Sequence, residues 1–343
     1  MDTMHRDQPE PTPGNRDEQV PRVVVGVDGS PGARLALAWA LSEAARRAAT
    51  LLVLSAFPVE AYWLDPYFLD PDRIEAVRQE TEARTRDAVG DVLHQPDVTA
   101  VPGAATVPVH VLAVPGPVVP SLVQHSSTAD LLVVGSRGRG GVRSTVLGSV
   151  ALHCAASADC PVVVVHPVSG GMHAGGSDGR LVVGLDEASQ GRAALVAAID
   201  EAVRRDARVQ AVLAYEGPDY WSEMYAGLTP PPAQRRARAL ERARNLVEDV
   251  VAEDVARGRD HDVAVVEVLV QEGSAGEVLV REAAGAELLV VGSRSHSSLP
   301  AMLLGSVALH CAIHAPCPVM IVRPEPEPAR PRAAVAATPA AHR

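Results

Sequence analysis

The segment Ala129–Val165, ADLLVVGSRGRGGVRSTVLGSVALHCAASADCPVVVV, returns as Ala286–Val322, AELLVVGSRSHSSLPAMLLGSVALHCAIHAPCPVMIV. Each copy runs from a short apolar stretch through a Gly- or Ser-rich loop into helical spacing, then ends in a second β-branched run. An apolar run too short for a helix, leading into a loop and a helix, reads as a buried strand of a parallel sheet. Working outward, VVVGVDGSPGARLALAWAL at Val23 is echoed by LVVGLDEASQGRAALVAAI at Leu181. The offset between copies is 158 at Asp28 and Asp186, and 157 at Gly135 and Gly292, so one residue has been lost in between. A period this long is a duplicated domain rather than a solenoid unit.

Composition sets the boundaries. Residues 1–20 are polar and Pro-rich and predict a disordered arm; residues 168–178 are a Gly/Ser-rich linker; residues 324–343 are a Pro/Ala-rich disordered tail. Two domains remain, 21–167 and 179–323. In the first, strands are expected at Val23–Val27, Leu51–Ala56, Val107–Ala113, Leu131–Gly135 and Val162–His166. Helices are expected at 33–47, Asp72–His94, Pro117–Ser126 and Ser149–Ala156. Strands alternating with helices predict an α/β, doubly wound domain with a parallel sheet covered on both faces, its ligands beyond the strand carboxyl ends.

The 343 residues carry 42 acidic and 31 basic side chains, a net charge of −11, and only 3% aromatics. That balance argues against a nucleic-acid binder, which would present a basic face or stacking platforms. Every basic residue is arginine; no lysine occurs. A Walker A loop and Schiff-base chemistry are therefore excluded. No signal peptide is predicted, and no window reaches the ~18 uninterrupted apolar residues of a membrane span. The four cysteines are too few for a disulfide scaffold of this length. A cytoplasmic, reduced protein is expected.

The loop from Gly135 to Ser149 leaves a strand carboxyl end and enters a helix. Its glycines permit positive φ and close approach of backbone amides to an anion. Gly148 and Ser149 place free amides and a hydroxyl at a helix N-terminus, where the dipole favours negative charge. Phosphate binding without lysine is thus expected, the alternative being a plain flexible surface loop. Asp28 and Asp186 each end a first strand. Each could accept from an adenine amine or ribose hydroxyl, or could be a helix-cap or turn aspartate. The dinucleotide fingerprint fails after strand one, where Asp28 stands at the second glycine, which disfavours a nicotinamide enzyme.

The spacing Gly-x2-Gly-x9-Gly-Ser, met by Gly135, Gly138, Gly148 and Ser149, resembles the ATP-binding signature of the universal stress protein family. The opening VVVGVDGS and the ending LGSV…CPVVVV are similar as well, in both domains. The resemblance implies five strands per domain in the order 3-2-1-4-5, with the last strands pairing between domains as an intrachain pseudo-dimer. It implies ATP, with or without Mg, as the ligand. Asp28 and the backbone near Ala56 would meet the adenine end; Gly135 and Gly138 would line the ribose and phosphate path; Gly148 and Ser149 would hold the phosphates. The second copy keeps Asp186, Gly292, Gly305 and Ser306 but has Ser295 for the second glycine. Arg139 and Arg143 become His296 and Pro300. Nucleotide is therefore expected mainly in domain 1, with weak or no binding in domain 2.

No catalytic or metal site is read. His153, Cys154 and Cys160, like His310, Cys311 and Cys317, lack metal-ligand spacing and read as core. Ser149 has no readable base. The Arg/Glu-rich helix Ala233–Arg257 reads as a solvated face, and the aromatics Tyr62, Trp63, Tyr67, Tyr220, Trp221 and Tyr225 as packing. The expected role is an ATP-binding stress-response regulator with at most slow turnover. A scaffold with a vestigial site, or a nucleotide-using enzyme on the same fold, is the alternative. Adenine nucleotide is the expected partner, nucleic acid and membrane are not, and a homodimer of the tandem unit stays open.

Overall fold

The computed structural model describes residues 20–57, 71–138, 147–167, 178–186, 189–215, 217, 230–256, 265–293 and 304–324. The first half contains β1 (Arg22–Gly26), α1 (Pro31–Arg46), β2 (Thr50–Phe57), α2 (Pro71–Leu93) and a short α3 (Pro96–Thr99). After one 3-10 turn (Ala104–Thr106) come β3 (Val109–Pro115), α4 (Val118–Ser126), β4 (Leu131–Gly135), α5 (Ser149–Ser157) and β5 (Val162–Val165). The second half repeats the plan with β6 (Arg180–Leu185), α6 (Ser189–Arg205), β7 (Arg208–Tyr215) and α7 (Pro232–Ala256). It continues through β8 (Val266–Glu272), α8 (Ala275–Glu282), β9 (Leu288–Gly292), α9 (Ser306–His314) and β10 (Val319–Val322).

The ten strands form one sheet in the order β3-β2-β1-β4-β5-β10-β9-β6-β7-β8. Within each half all pairings are parallel, in the expected 3-2-1-4-5 order. The halves join where β5 and β10 run antiparallel, Val164 opposite Val319 and Val162 opposite Ile321. Both strands are buried along their whole length. Either one left open would be an apolar edge ready to pair with another chain.

Strand alternation sends successive side chains to opposite faces, so the molecule has two cores divided by the sheet rather than by the domains. Val23, Val25, Leu51, Val53, Leu131 and Val133 meet α1 and α2 on the face that also carries Leu181, Val183 and helices α6 and α7. Val24, Leu132, Val134, Val162 and Val164 share the other face with Val182, Leu289 and Ile321, under α4, α5, α8 and α9. Each helix stripe thus closes a core that continues through the seam.

One local expectation needs correction. The third strand lies at Val109–Pro115, two residues later than its hydrophobic pattern suggested. The stretch before it folds as α3 and the 3-10 turn, because Gln95-Pro96 and Gly103, at φ 83°, start short turns that a strand cannot accommodate. The long variable segments carrying Tyr62, Trp63, Tyr67, Tyr220, Trp221 and Tyr225 lie outside the described residues, as do most of the arm, linker and tail.

Candidate nucleotide site

β1 delivers Asp28 to the carboxyl edge of the sheet, just before α1. Its Oδ1 accepts from the Ser30 amide at 2.9 Å, while Ser30 Oγ accepts from Ala33 N–H at 3.2 Å. Ser30, then, is the cap of α1, and Asp28 stabilises the turn with one oxygen. The other, Oδ2, stands over the loop that follows β4. A Cβ placed on Gly138 would lie 2.7 Å from it.

The described glycines of that loop, Gly135, Gly138 and Gly148, serve approach rather than left-handed backbone. All three lie outside the positive-φ region, contrary to one reason for expecting them. A Cβ on Gly135 would meet the Gly32 carbonyl carbon and oxygen at 2.8 Å, and one on Gly32 would meet the Arg137 carbonyl oxygen at 2.5 Å. The start of α1 and the exit of β4 are therefore packed backbone on backbone, which only hydrogen side chains allow.

Beyond the loop, Gly148 begins α5 with no side-chain cap, and its own N–H donates to the Ser136 carbonyl at 2.9 Å. The amides of Ser149, Val150 and Ala151 form the first turn, where an α-helix leaves its N–H groups without intrahelical acceptors. All three residues line a cavity of about 390 Å³. Asp28, Ala56, Gly135, Gly138 and Gly148 line the same cavity. Val27, Ala33, Val118, Leu122 and Val134 supply apolar wall, and Arg137 supplies a cation. The six positions singled out in the first domain are thereby brought together, from β1, β2, β4 and α5. Arg137, Ala33, Val118 and Leu122 escaped the sequence reading, since nothing in their spacing sets them apart. Arg139 and Arg143 lie outside the described residues.

The second half builds a cavity at the equivalent edge, of about 920 Å³. Asp186, Gly292 and Gly305 line it; Ser306 does not, although its neighbours Gly305 and Val307 do. Asp186 Oδ1 accepts from the Gly191 amide at 2.7 Å, an arrangement unlike that of Asp28. Gly305 again starts a helix without a side-chain cap, its N–H donating to the Ser293 carbonyl at 2.8 Å. Ser295, His296 and Pro300 lie outside the described residues, so the expected effect of the lost glycine is not visible there. One expectation fails. The Arg/Glu-rich helix is not only a solvated face: Arg235, Arg238, Glu241 and Arg242 of α7 all line this second cavity.

The cysteines read as core residues, and they are. All four are free and buried, and burial pushes the thiols of Cys154, Cys160, Cys311 and Cys317 up to about 12. Among the described residues, no three His, Cys, Asp or Glu gather as a metal site, and no helix is long and apolar enough to cross a membrane.

Comparison with known proteins places this geometry in context. The family model described as "Universal stress protein family" matches residues 20–166 and 179–323. The universal stress protein Rv2623 of Mycobacterium tuberculosis is 33% identical over 305 residues, covering 88% of this chain and 96% of its own. Universal stress protein Rv2005c of the same organism is 32% identical over 313 residues, with 88% and 96% covered. Among solved structures, a universal stress protein from Archaeoglobus fulgidus superposes with a TM-score of 0.58 at 17% identity, over 88% of this chain and 96% of that one.

Proposed function

The chain belongs to the universal stress protein family, with two family domains in tandem, and from that premise we propose that it is an ATP-binding regulatory protein. The observation carrying this reading is the convergence of Asp28, Ala56, Gly138 and the first-turn amides of α5 on one cavity. Its volume of about 390 Å³ falls in the range of roughly 300–1,000 Å³ typical of small-molecule sites.

The chain's own groups fit a nucleotide. Apolar wall from Val27, Ala33, Val118 and Leu122 suits a flat base, and the carboxylate edge of Asp28 suits an amine or hydroxyl. The amides of Ser149, Val150 and Ala151 would take the phosphates, aided by the helix dipole. Arg137 would contribute the one described cation, in a chain that has no lysine. Asp28 is the one acid among the described lining residues, too few carboxylates to hold a divalent cation alone. Any Mg would therefore come in with the phosphates rather than be held by the chain. We propose binding with at most slow turnover, in the cytoplasm, with nucleotide occupancy setting which protein partner is engaged.

Mass spectrometry of the small molecule released from the purified native chain tests this directly. Adenine nucleotide is expected. Gly138→Ala is expected to lose it, because the new Cβ would stand 2.7 Å from Asp28 Oδ2 and push the carboxylate off its position. A Gly138→Ala chain that retains nucleotide at wild-type affinity would overturn the assignment.

A further inference from the structure

The two copies of the long helix differ where they face their cavities. Buried residues Thr81, Thr85, Val89 and Val92 of α2 correspond, at the repeat offset of 158, to buried Ala239, Ala243, Val247 and Val250 of α7. On that register Val77 becomes Arg235 and Glu80 becomes Arg238, while Arg84 is matched by Arg242. An apolar residue and an acid have both become arginine. Arg235 continues the buried stripe one turn ahead of Ala239, its side chain only 18% exposed. Its Nε is buried without a hydrogen-bond partner, and its nearest acid, Glu272, is 3.9 Å away.

In the first half the arginine of this turn is satisfied on its own helix. Arg78 bonds Glu75 and Glu82, and no α2 residue is among the described residues lining the smaller cavity. In the second half Arg235, Arg238 and Arg242 all reach the larger one. Against these three guanidiniums stand Glu241 in the lining and Glu272 beside Arg235, leaving the helix side of the cavity net positive. The opposite side holds Gly292 and the uncapped start of α9 at Gly305. Strand order β9-β6-β7 separates these two sides by two strand spacings, about 10 Å. Between them lie Leu213, Ala214, Leu279 and Val291. The cavity therefore has two anion-attracting ends, separated by apolar wall and the single Asp186 carboxylate at the end of β6.

We propose that the second domain binds a nucleotide carrying an additional phosphate on its ribose, held by Arg235 and Arg238. In dinucleotide-binding doubly wound sheets an arginine near the second strand accommodates a ribose phosphate where an acid would take a hydroxyl, and here Arg235 and Arg238 share the cavity lining with Leu213 and Ala214 of β7. Arginine's planar fork suits a phosphate better than a solvated ammonium does. The inference rests on reading the paired cavities as nucleotide sites.

Calorimetric titration of the full chain with ADP, and separately with its 2′-phosphate and 3′-phosphate derivatives, tests it. At least one derivative is expected to bind about 10-fold more tightly than ADP. Restoring the first-copy residues, as Arg235→Val/Arg238→Glu, is expected to abolish that preference. Arg238→Glu alone, at an exposed position, is expected to reduce it without affecting the melting temperature. Equal affinities in the native chain, or a preference that survives the double substitution, would overturn the proposal. If ATP binding then persists in the double variant and is lost in Gly138→Ala, the first-domain reading stands alone. If neither ATP, ADP nor its derivatives bind the native chain, both readings fall.

Discussion

At the residue scale, glycine and alanine positions reveal what the backbone needs. Gly135 and Gly138 are required by contacts of 2.7–2.8 Å that any Cβ would make. The opposite situation occurs at the end of α1. Ala48 has φ 49°, its partner Asp206 at the end of α6 has φ 52°, and Ala49 N–H closes back on the Ala44 carbonyl at 2.8 Å. This left-handed helix terminus is one where glycine avoids a steric cost of roughly 1–2 kcal/mol. Ala48→Gly is therefore expected to raise stability by about 0.5–1 kcal/mol, after the added freedom of the unfolded chain is subtracted. Urea unfolding of the two chains checks it, and a loss of stability would contradict the strain argument. The thiols allow a second test. With all four held at about 12 by burial, the thiolate fraction at pH 8 is small, and a disulfide reagent should modify them only on unfolding.

At the element scale, α5 does the work expected of a phosphate-binding helix only if its amides, rather than the Ser149 hydroxyl, carry the anion. The two contributions separate cleanly. Ser149 is the first helical residue, following Gly148 at φ −62°, ψ 147°, an extended conformation that tolerates a succeeding proline. Proline at that position costs the helix little, since the N–H it removes has no intrahelical acceptor. Ser149→Ala should weaken ATP binding slightly. Ser149→Pro, which also deletes one amide, should weaken it by roughly 10- to 100-fold, the ~1.5–3 kcal/mol typical of a hydrogen bond to a charged group. Melting temperatures should stay close to wild type. Equal effects of the two substitutions would move the phosphates elsewhere.

The whole molecule is held at its seam by more than the β5–β10 pair. The repeat brings α1 and α6 together on one face, where Glu43 and Arg47 of one half meet Glu201 and Arg205 of the other. Arg47 bonds Glu43 at 2.7 Å and also Glu201; Arg205 bonds Glu43 at 2.5 Å and also Glu201. The four residues form a closed, pseudo-symmetric ring with side chains at most 10% exposed. Trp39 lies against it, 5.8 Å from the Arg205 guanidinium. Burial alone would raise the Glu43 pKa, but Arg205 and Arg47 overcome it and hold the carboxyl at about 2. Its folded value lies below its ordinary one, so its contribution is present above about pH 4.5 and is lost as pH falls toward 2. Unfolding free energy should decline through that window, and less steeply in Glu43→Gln. Glu43→Ala leaves Arg47 and Arg205 to share the single carboxylate of Glu201 and should cost about 3–5 kcal/mol. A cost below 1 kcal/mol would show that water reaches the ring.

Much of this was legible in the chain itself. The repeat, the apolar strand runs and the Gly-x2-Gly-x9-Gly-Ser spacing are local patterns, so they announced the doubly wound halves and the residues at their carboxyl edge. Strand 3 slipped by two residues because turn chemistry at Pro96 and Gly103 outweighed a weak apolar pattern. Only the tertiary structure decided which groups face one another across elements. That Ser30 rather than Asp28 caps α1, that Gly138 is needed for the Asp28 carboxylate, and that Arg235 enters a cavity are facts of three-dimensional approach. The buried ring at Glu43 depends on two helices separated by more than 150 residues being packed side by side. Periodicity reports which face of an element is buried; what it is buried against is set by the sheet order, and there the contacts acquire their chemistry.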